Sequence, residues 1–336
     1  MKRFLVLSVL LLAAPAARGQ WVQMKGHSLS HMINAFAVNG PVVFVGTGAN
    51  WNKGNEGDIY RSTDSGMHWR AVPGNWPNVS ALLMCDSNLF AGTSGGGVFR
   101  STNFGKHWIA SDSGLINSYG FVGDINTLAA SGSILFVGFD GPLNGGGDLF
   151  RSTNSGESWT PSNSGLPVDG MVRSFAKIGN NLFVGTNHGI YVSTNDGINW
   201  SEVNNGLPMD NPPTFVDVLS AGGKNLFAVL GSRGLRGAGG GVFCSTNNGA
   251  SWAIANTGLP DNGSYVSSFA VVGTTIFAAD FGIYRSTNNG AAWSELNTGL
   301  PKQSTPWKLL AYGNYLYAGT QEGFVWRRKL SEIMGQ

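Results

Sequence analysis

Ser62-Thr63-Asp64-Ser65-Gly66-Met67-His68-Trp69 is the first of six copies of one motif; the others run Ser101 to Trp108, Ser152 to Trp159, Ser193 to Trp200, Ser245 to Trp252 and Ser286 to Trp293. Each reads Ser-Thr-Asx-x-Gly-x-x-Trp, and the tryptophans stand 39, 51, 41, 52 and 41 residues apart. That period fits a four-stranded propeller blade rather than a leucine-rich or ankyrin unit. The chemistry is that of a tight turn: the Asx side chain accepts backbone N–H groups, glycine takes a positive φ, and tryptophan opens the next strand with a large apolar ring. These structural roles fall to Asp64, Gly66 and Trp69; Asn103, Gly105 and Trp108; Asn154, Gly156 and Trp159; Asn195, Gly197 and Trp200; Asn247, Gly249 and Trp252; and Asn288, Gly290 and Trp293.

Each motif follows a strand such as Ile59-Tyr60-Arg61 or Val98-Phe99-Arg100. Before that lies an apolar run such as Asn88 to Thr93 or Asn181 to Thr186, and earlier still a small-residue strand such as Val172 to Ala176. Four strands per unit result, a to d from the axis outward. A seventh unit opens at Trp307, with strand a at Lys308 to Ala311, b at Tyr315 to Gly319 and c at Gly323 to Arg327, and the given sequence ends before a d strand. Trp21-Val22-Gln23-Met24-Lys25-Gly26 reads like Trp293 to Gly299 and is expected to supply it, which removes an exposed sheet edge. The fold class is therefore all-β: a single seven-bladed propeller of four-stranded antiparallel blades, the last closed by the N-terminal strand.

The motif resembles the Asp-box, or BNR-type, repeats of sialidases, sortilin-type receptor domains, xyloglucanases and photosystem II assembly factors. In that family the box turns between strands c and d, so the resemblance implies a propeller and no particular activity. Asn replaces Asp in five of the six boxes, which leaves the turn's acceptor in place. A sialidase would bring an arginine triad, a Tyr–Glu pair and an early Phe-Arg-Ile-Pro stretch; that stretch is absent. Arg61, Arg100, Arg151, Arg285 and Arg327 share one strand c position and read as repeat features.

Lys2 and Arg3, the apolar run Phe4 to Ala14 and the small-residue site before Gln20 read as a secretory signal peptide over 1–19, leaving 20–336 as the propeller. The expected location is secreted, periplasmic or cell-surface, with no transmembrane segment and a monomeric state. Without the leader, 18 basic residues face 19 acidic, a balance that argues against nucleic acid as a partner. Cys85 and Cys244 fall in different blades and are expected to stay unpaired. The five histidines form no metal-ligand spacing, the loop Asp140 to Asp148 matches no EF-hand, and no cofactor motif occurs.

The a–b and c–d turns share one face of a propeller, and the b–c and d–a connections the other. Three b–c connections are long, Thr47 to Asp58, Asp140 to Asp148 and Gly231 to Gly241, so the ligand is expected on that loop face. The candidate contacts are Trp51, Lys53, Glu56, Asp58, Asp140, Asp148, Arg173, Asp217, Arg233 and Arg236. The same rim receives the second positions of the inner strands, read as Asn34, Ser80, Asn126, Arg173, Asp217, Ser267 and Lys308. A glycan or a protein is the expected ligand of a binding or scaffold propeller. The alternatives are a glycan-active hydrolase or lyase using a carboxylate pair drawn from Asp58, Asp124, Asp140, Asp148, Asp217 and Asp280 beside aromatic platforms such as Trp51 or Trp76, and an assembly factor for a membrane complex.

Overall fold

The computed structural model describes residues 20–24, 29, 31–48, 56–115, 123–139, 149–168, 170–209, 215–231 and 240–334. Residues 1–19, read as a signal peptide, lie outside them. Seven four-stranded antiparallel sheets form the blades, and the described residues contain no α-helix. The inner strands are Met32–Asn39, Val79–Cys85, Ile125–Ser131, Val172–Ile178, Phe215–Gly222, Ser268–Val272 and Pro306–Tyr312. Each outermost strand is only two residues long, as in Arg70–Ala71 and Ser201–Glu202.

Second strands are sandwiched between blades on both faces, which is why they read as unbroken apolar runs rather than alternating ones. Their central rings, Phe44, Phe90, Phe136, Phe183, Phe227, Phe277 and Tyr317, are all 0–1% exposed. The Ser-Thr-Asx turn holds the next blade onto that ring. In blade four, Ser193 Oγ donates to Asn195 Oδ1 (3.0 Å) and accepts from Gly197 N (2.9 Å), while Asn199 N donates to Asn195 Oδ1 (3.0 Å). Gly197 has φ +77°, and a Cβ there would meet Phe136 Cε1 at 2.4 Å. In the first turn burial opposes the Asp64 charge, but the His68 N–H, the His68 ring and Ser62 outweigh it and hold the carboxyl at about 2.

A second repeat, not anticipated from the turn motif, follows strand d: Asp112-Ser-Gly-Leu115, Asn163-Ser-Gly-Leu166, Asn204-Asn-Gly-Leu207, Asn256-Thr-Gly-Leu259 and Asn297-Thr-Gly-Leu300. Its second residue accepts the backbone N–H of the tryptophan in the next blade, as in Trp252 N to Asn205 O (2.9 Å), and the indole N–H crosses to strand d, as in Trp252 Nε1 to Val203 O (2.8 Å). Where Val72-Pro-Gly-Asn-Trp76 replaces this repeat, Trp108 turns its N–H inward to Gly105 O (3.1 Å). Trp76 packs edge-on against Trp108 at 5.0 Å and is 6% exposed, so it is core and not the aromatic platform anticipated.

The composite seventh blade has the order Val22–Gln23, Val325–Lys329, Tyr315–Thr320, Pro306–Tyr312, with Val22 opposite Arg327 and Gln23 opposite Trp326. Trp21 repeats the bonds of the motif tryptophans: Nε1 donates to Leu296 O (2.7 Å) and N to Thr298 O (3.1 Å). The strand c arginines act as repeat features, Arg100, Arg151 and Arg327 donating to Ser155 O, Asp196 O and Ser65 O of the following turns. Cys85 and Cys244 are both buried and free.

Candidate functional site

The seven inner strands enclose an axial cavity of about 300 Å³ that is lined by Asn34, Ser80, Asn126, Arg173, Asp217, Ser267 and Lys308 with the residues that follow them. Most inner strands bulge at the second position, because one residue there goes unpaired with strand b, as Asn34 does between Ile33 and Ala35. In blade seven the unpaired residue is Trp307, and Lys308 pairs with Gly319. This corrects the reading of Lys308 as the equivalent of Asn34. Lys308 belongs one position further along, in the row of Ala35, Ala81, Thr127, Ser174, Val218 and Ser268.

Much of the ring is internally satisfied. Arg173 Nη1 donates to Asp217 Oδ1 at 2.9 Å, joining blades four and five, and its guanidinium lies 5.4 Å from the Phe215 ring centre. Asn34 Nδ2 donates to Asn78 Oδ1 (2.9 Å), Ser267 Oγ to Trp307 O (2.9 Å), and Ser80 Oγ to Ile125 O. Asp58 is taken up by its turn: Tyr60 Oη donates to Oδ2 (3.2 Å), and the backbone N–H of Asp58 donates to Thr47 Oγ1 (3.0 Å). Glu56 is exposed and its backbone pairs with Pro77, fastening the blade one loop to the next blade. Asp124 is exposed. Trp51, Lys53, Asp140, Asp148, Arg233 and Arg236 lie outside the described residues.

A second feature stands on the same face where blades five and six meet. Strand b ends in Thr47, Thr93, Thr186 and Thr320 in four blades, and each hydroxyl bonds backbone of its b–c turn, for example Thr93 Oγ1 to Gly97 O (2.9 Å) and Thr186 Oγ1 to Gly189 O (3.0 Å). In blade six that register holds Asp280, which is 0% exposed and whose two carboxylate oxygens have no partner among the described residues. Burial, aided by the charge of Asp261, pushes it up to about 7. The next residue, Phe281, has φ +45° and is 59% exposed; its ring lies 4.8 Å from that of Tyr265, itself 41% exposed. Asp261 and Asn262 also take positive φ, 43° and 58°. Asp280 is one of the six candidate rim carboxylates, whereas Tyr265 and Phe281 carry no repeat signal in the sequence. The signal for the first was available, since Asp280 breaks a register filled by threonine in four other blades.

Among the described residues, no cluster of three or more His, Cys, Asp or Glu side chains is placed to hold a metal ion, and no helix is long and apolar enough to cross a membrane.

Residues 120–275 match the family model described as the DUF6242 beta propeller domain. No curated protein matches the chain. Among solved structures it is similar to the GH74 xyloglucanase from Xanthomonas campestris (17% identity, TM-score 0.64, covering 87% of this chain and 51% of that one). It is also similar to the extracellular domain of BT4673 from B. thetaiotaomicron (16%, TM-score 0.68, 91% and 39%). YCF48 from Cyanidioschyzon merolae matches over nearly its whole length (14%, TM-score 0.66, 93% and 99%). The chain thus spans about half, or less, of the first two, and likenesses at these identities establish a shared propeller fold alone.

Proposed function

We propose that this is an exported binding propeller that takes a glycan on its loop face, with Tyr265 and Phe281 as the contact platform. The observation that carries the reading is this pair of exposed rings on the face that also bears the three long b–c connections. Flat aromatic faces are apolar on one side and tolerate water at the edge, which suits stacking on a sugar ring. Phe281 stands in a positive-φ turn that a bulky residue enters at a cost, and strain of this kind collects at ligand sites. The turns are read here as Asp-box repeats, the chain as a monomer, and residues 1–19 as the export signal. The extracellular domain of BT4673 and the xyloglucanase are propellers of proteins named for extracellular or glycan roles, which supports this direction.

The test is titration of the purified chain against a panel of neutral and acidic oligosaccharides. Phe281→Ala and Tyr265→Ala should each weaken binding about tenfold with little change in melting temperature; unaltered affinity in both would overturn the assignment. A hydrolase is the second reading, favoured by Asp280: a carboxyl protonated near neutrality beside the Asp261 carboxylate is the electronic setting of a general acid. Against it, Asp280 is fully buried, so a substrate on the surface does not reach its carboxyl in this conformation. Release of reducing ends by the wild type and its loss in Asp280→Asn would decide for the hydrolase.

A further inference from the structure

We propose that the axial cavity is a binding site for a small hydroxylated carboxylate of the sugar-acid class, with Lys308 taking its carboxylate. The residues equivalent to Lys308 are Ala35, Ala81, Thr127, Ser174, Val218 and Ser268, all short, so Lys308 is the one long side chain of its row in the cavity lining. Its ammonium makes no hydrogen bond or ion pair among the described residues. The remaining charged side chains that line the cavity are Arg173 and Asp217, which neutralise each other at 2.9 Å. Among the described residues, Lys308 is therefore the one cavity charge without a counter-ion, which matches a monoanion.

The lining also carries the amide of Asn126 and the hydroxyls of Ser80, Thr127 and Ser267 among apolar residues such as Leu82, Leu128 and Leu219, so a ligand with hydroxyls as well as a carboxylate meets both polar partners and apolar walls. About 300 Å³ is the lower end of cavities that enclose small ligands, enough for one monosaccharide. Burial lowers the Lys308 ammonium from its ordinary range, and a bound anion would oppose that lowering.

The experiment is calorimetric titration of the full chain with galacturonate and glucuronate, with galactose and glucose as neutral controls. Uronates should bind with at least tenfold preference over the neutral sugars, Lys308→Met should remove that preference, and Lys308→Arg should keep part of it. Equal binding of neutral and acidic sugars, an unchanged affinity in Lys308→Met, or no uronate binding at millimolar concentration would each overturn the site. Oligogalacturonides form a further arm: retained affinity identifies a chain end as the source and monomer-only binding the free acid. Phe281→Ala should leave the uronate affinity unchanged, since that ring does not line the cavity; this keeps the channel site and the rim site separately testable.

Discussion

At the scale of single residues, the two departures from the repeat are the informative ones. Asp280 occupies a register where threonine elsewhere closes the b–c turn, and its carboxyl is raised from 3.8 to about 7, mainly by burial. A carboxyl raised in the folded state binds its proton more tightly than in the unfolded chain. Its contribution is thus fully present below about pH 4 and is lost as pH rises through about 7. Asp280→Thr, which restores the repeat residue, should therefore raise the melting temperature at pH 8 and change it little at pH 4. Thermal melts at the two pH values check this, and a shift of equal size at both would mean that ionisation plays no part.

Glycine substitutions separate backbone conformation from crowding. Gly206 has φ +90°, and a Cβ there would lie 2.3 Å from the carbonyl oxygen of Trp252, which is backbone and cannot move aside. Gly179 has φ +58° with nothing within 4 Å. Gly179→Ala should cost about 1 kcal/mol and Gly206→Ala about 3 kcal/mol or more, measured by urea unfolding. Similar costs would show that the contact between blades yields easily.

At the scale of elements, the outer strands are too short to hold themselves in place. Two residues give few ladder bonds, and in five of the seven blades the tryptophan that opens the strand supplies the anchor by crossing to the blade before it. Trp21 does this for the closing strand, where it is 3% exposed and bonded to Leu296 O. Trp21→Ala should destabilise the protein by about 3–5 kcal/mol, and deleting residues 20–24 should do at least as much by baring the edge of Val325–Lys329. An unchanged melting temperature in the deletion variant would mean that the ring closes by other means. Gly197→Val in the blade four turn should cost a few kcal/mol through its φ of +77° and the Phe136 ring beneath it, while oligosaccharide binding per folded molecule stays the same. Loss of binding without loss of stability would move the ligand to the opposite face.

At the scale of the whole molecule, the sequence by itself determined the architecture. Six copies of one turn motif at spacings of 39 to 52 residues dictate the strand unit, and the likeness of Trp21 to Gly26 to the outer-strand segment Trp293 to Gly299 marks the closing strand, which leaves no sheet edge unpaired. It also marked the strand c arginines as structural, and three of them donate to the turn of the following blade. What the tertiary structure alone decided is which residues depart from that job. Trp76 stood as a candidate aromatic platform and is core, because the segment that joins blades one and two lays it against Trp108. Lys308 looked like a member of the polar rim and stands one register deeper, because Trp307 takes the unpaired bulge position. The pairing of Tyr265 with Phe281 joins residues 16 apart through two different connections, and no local pattern records such a contact. Periodicity reports what neighbouring blades share, whereas a site is built from the residues in which they differ, and only the closed ring brings those residues together.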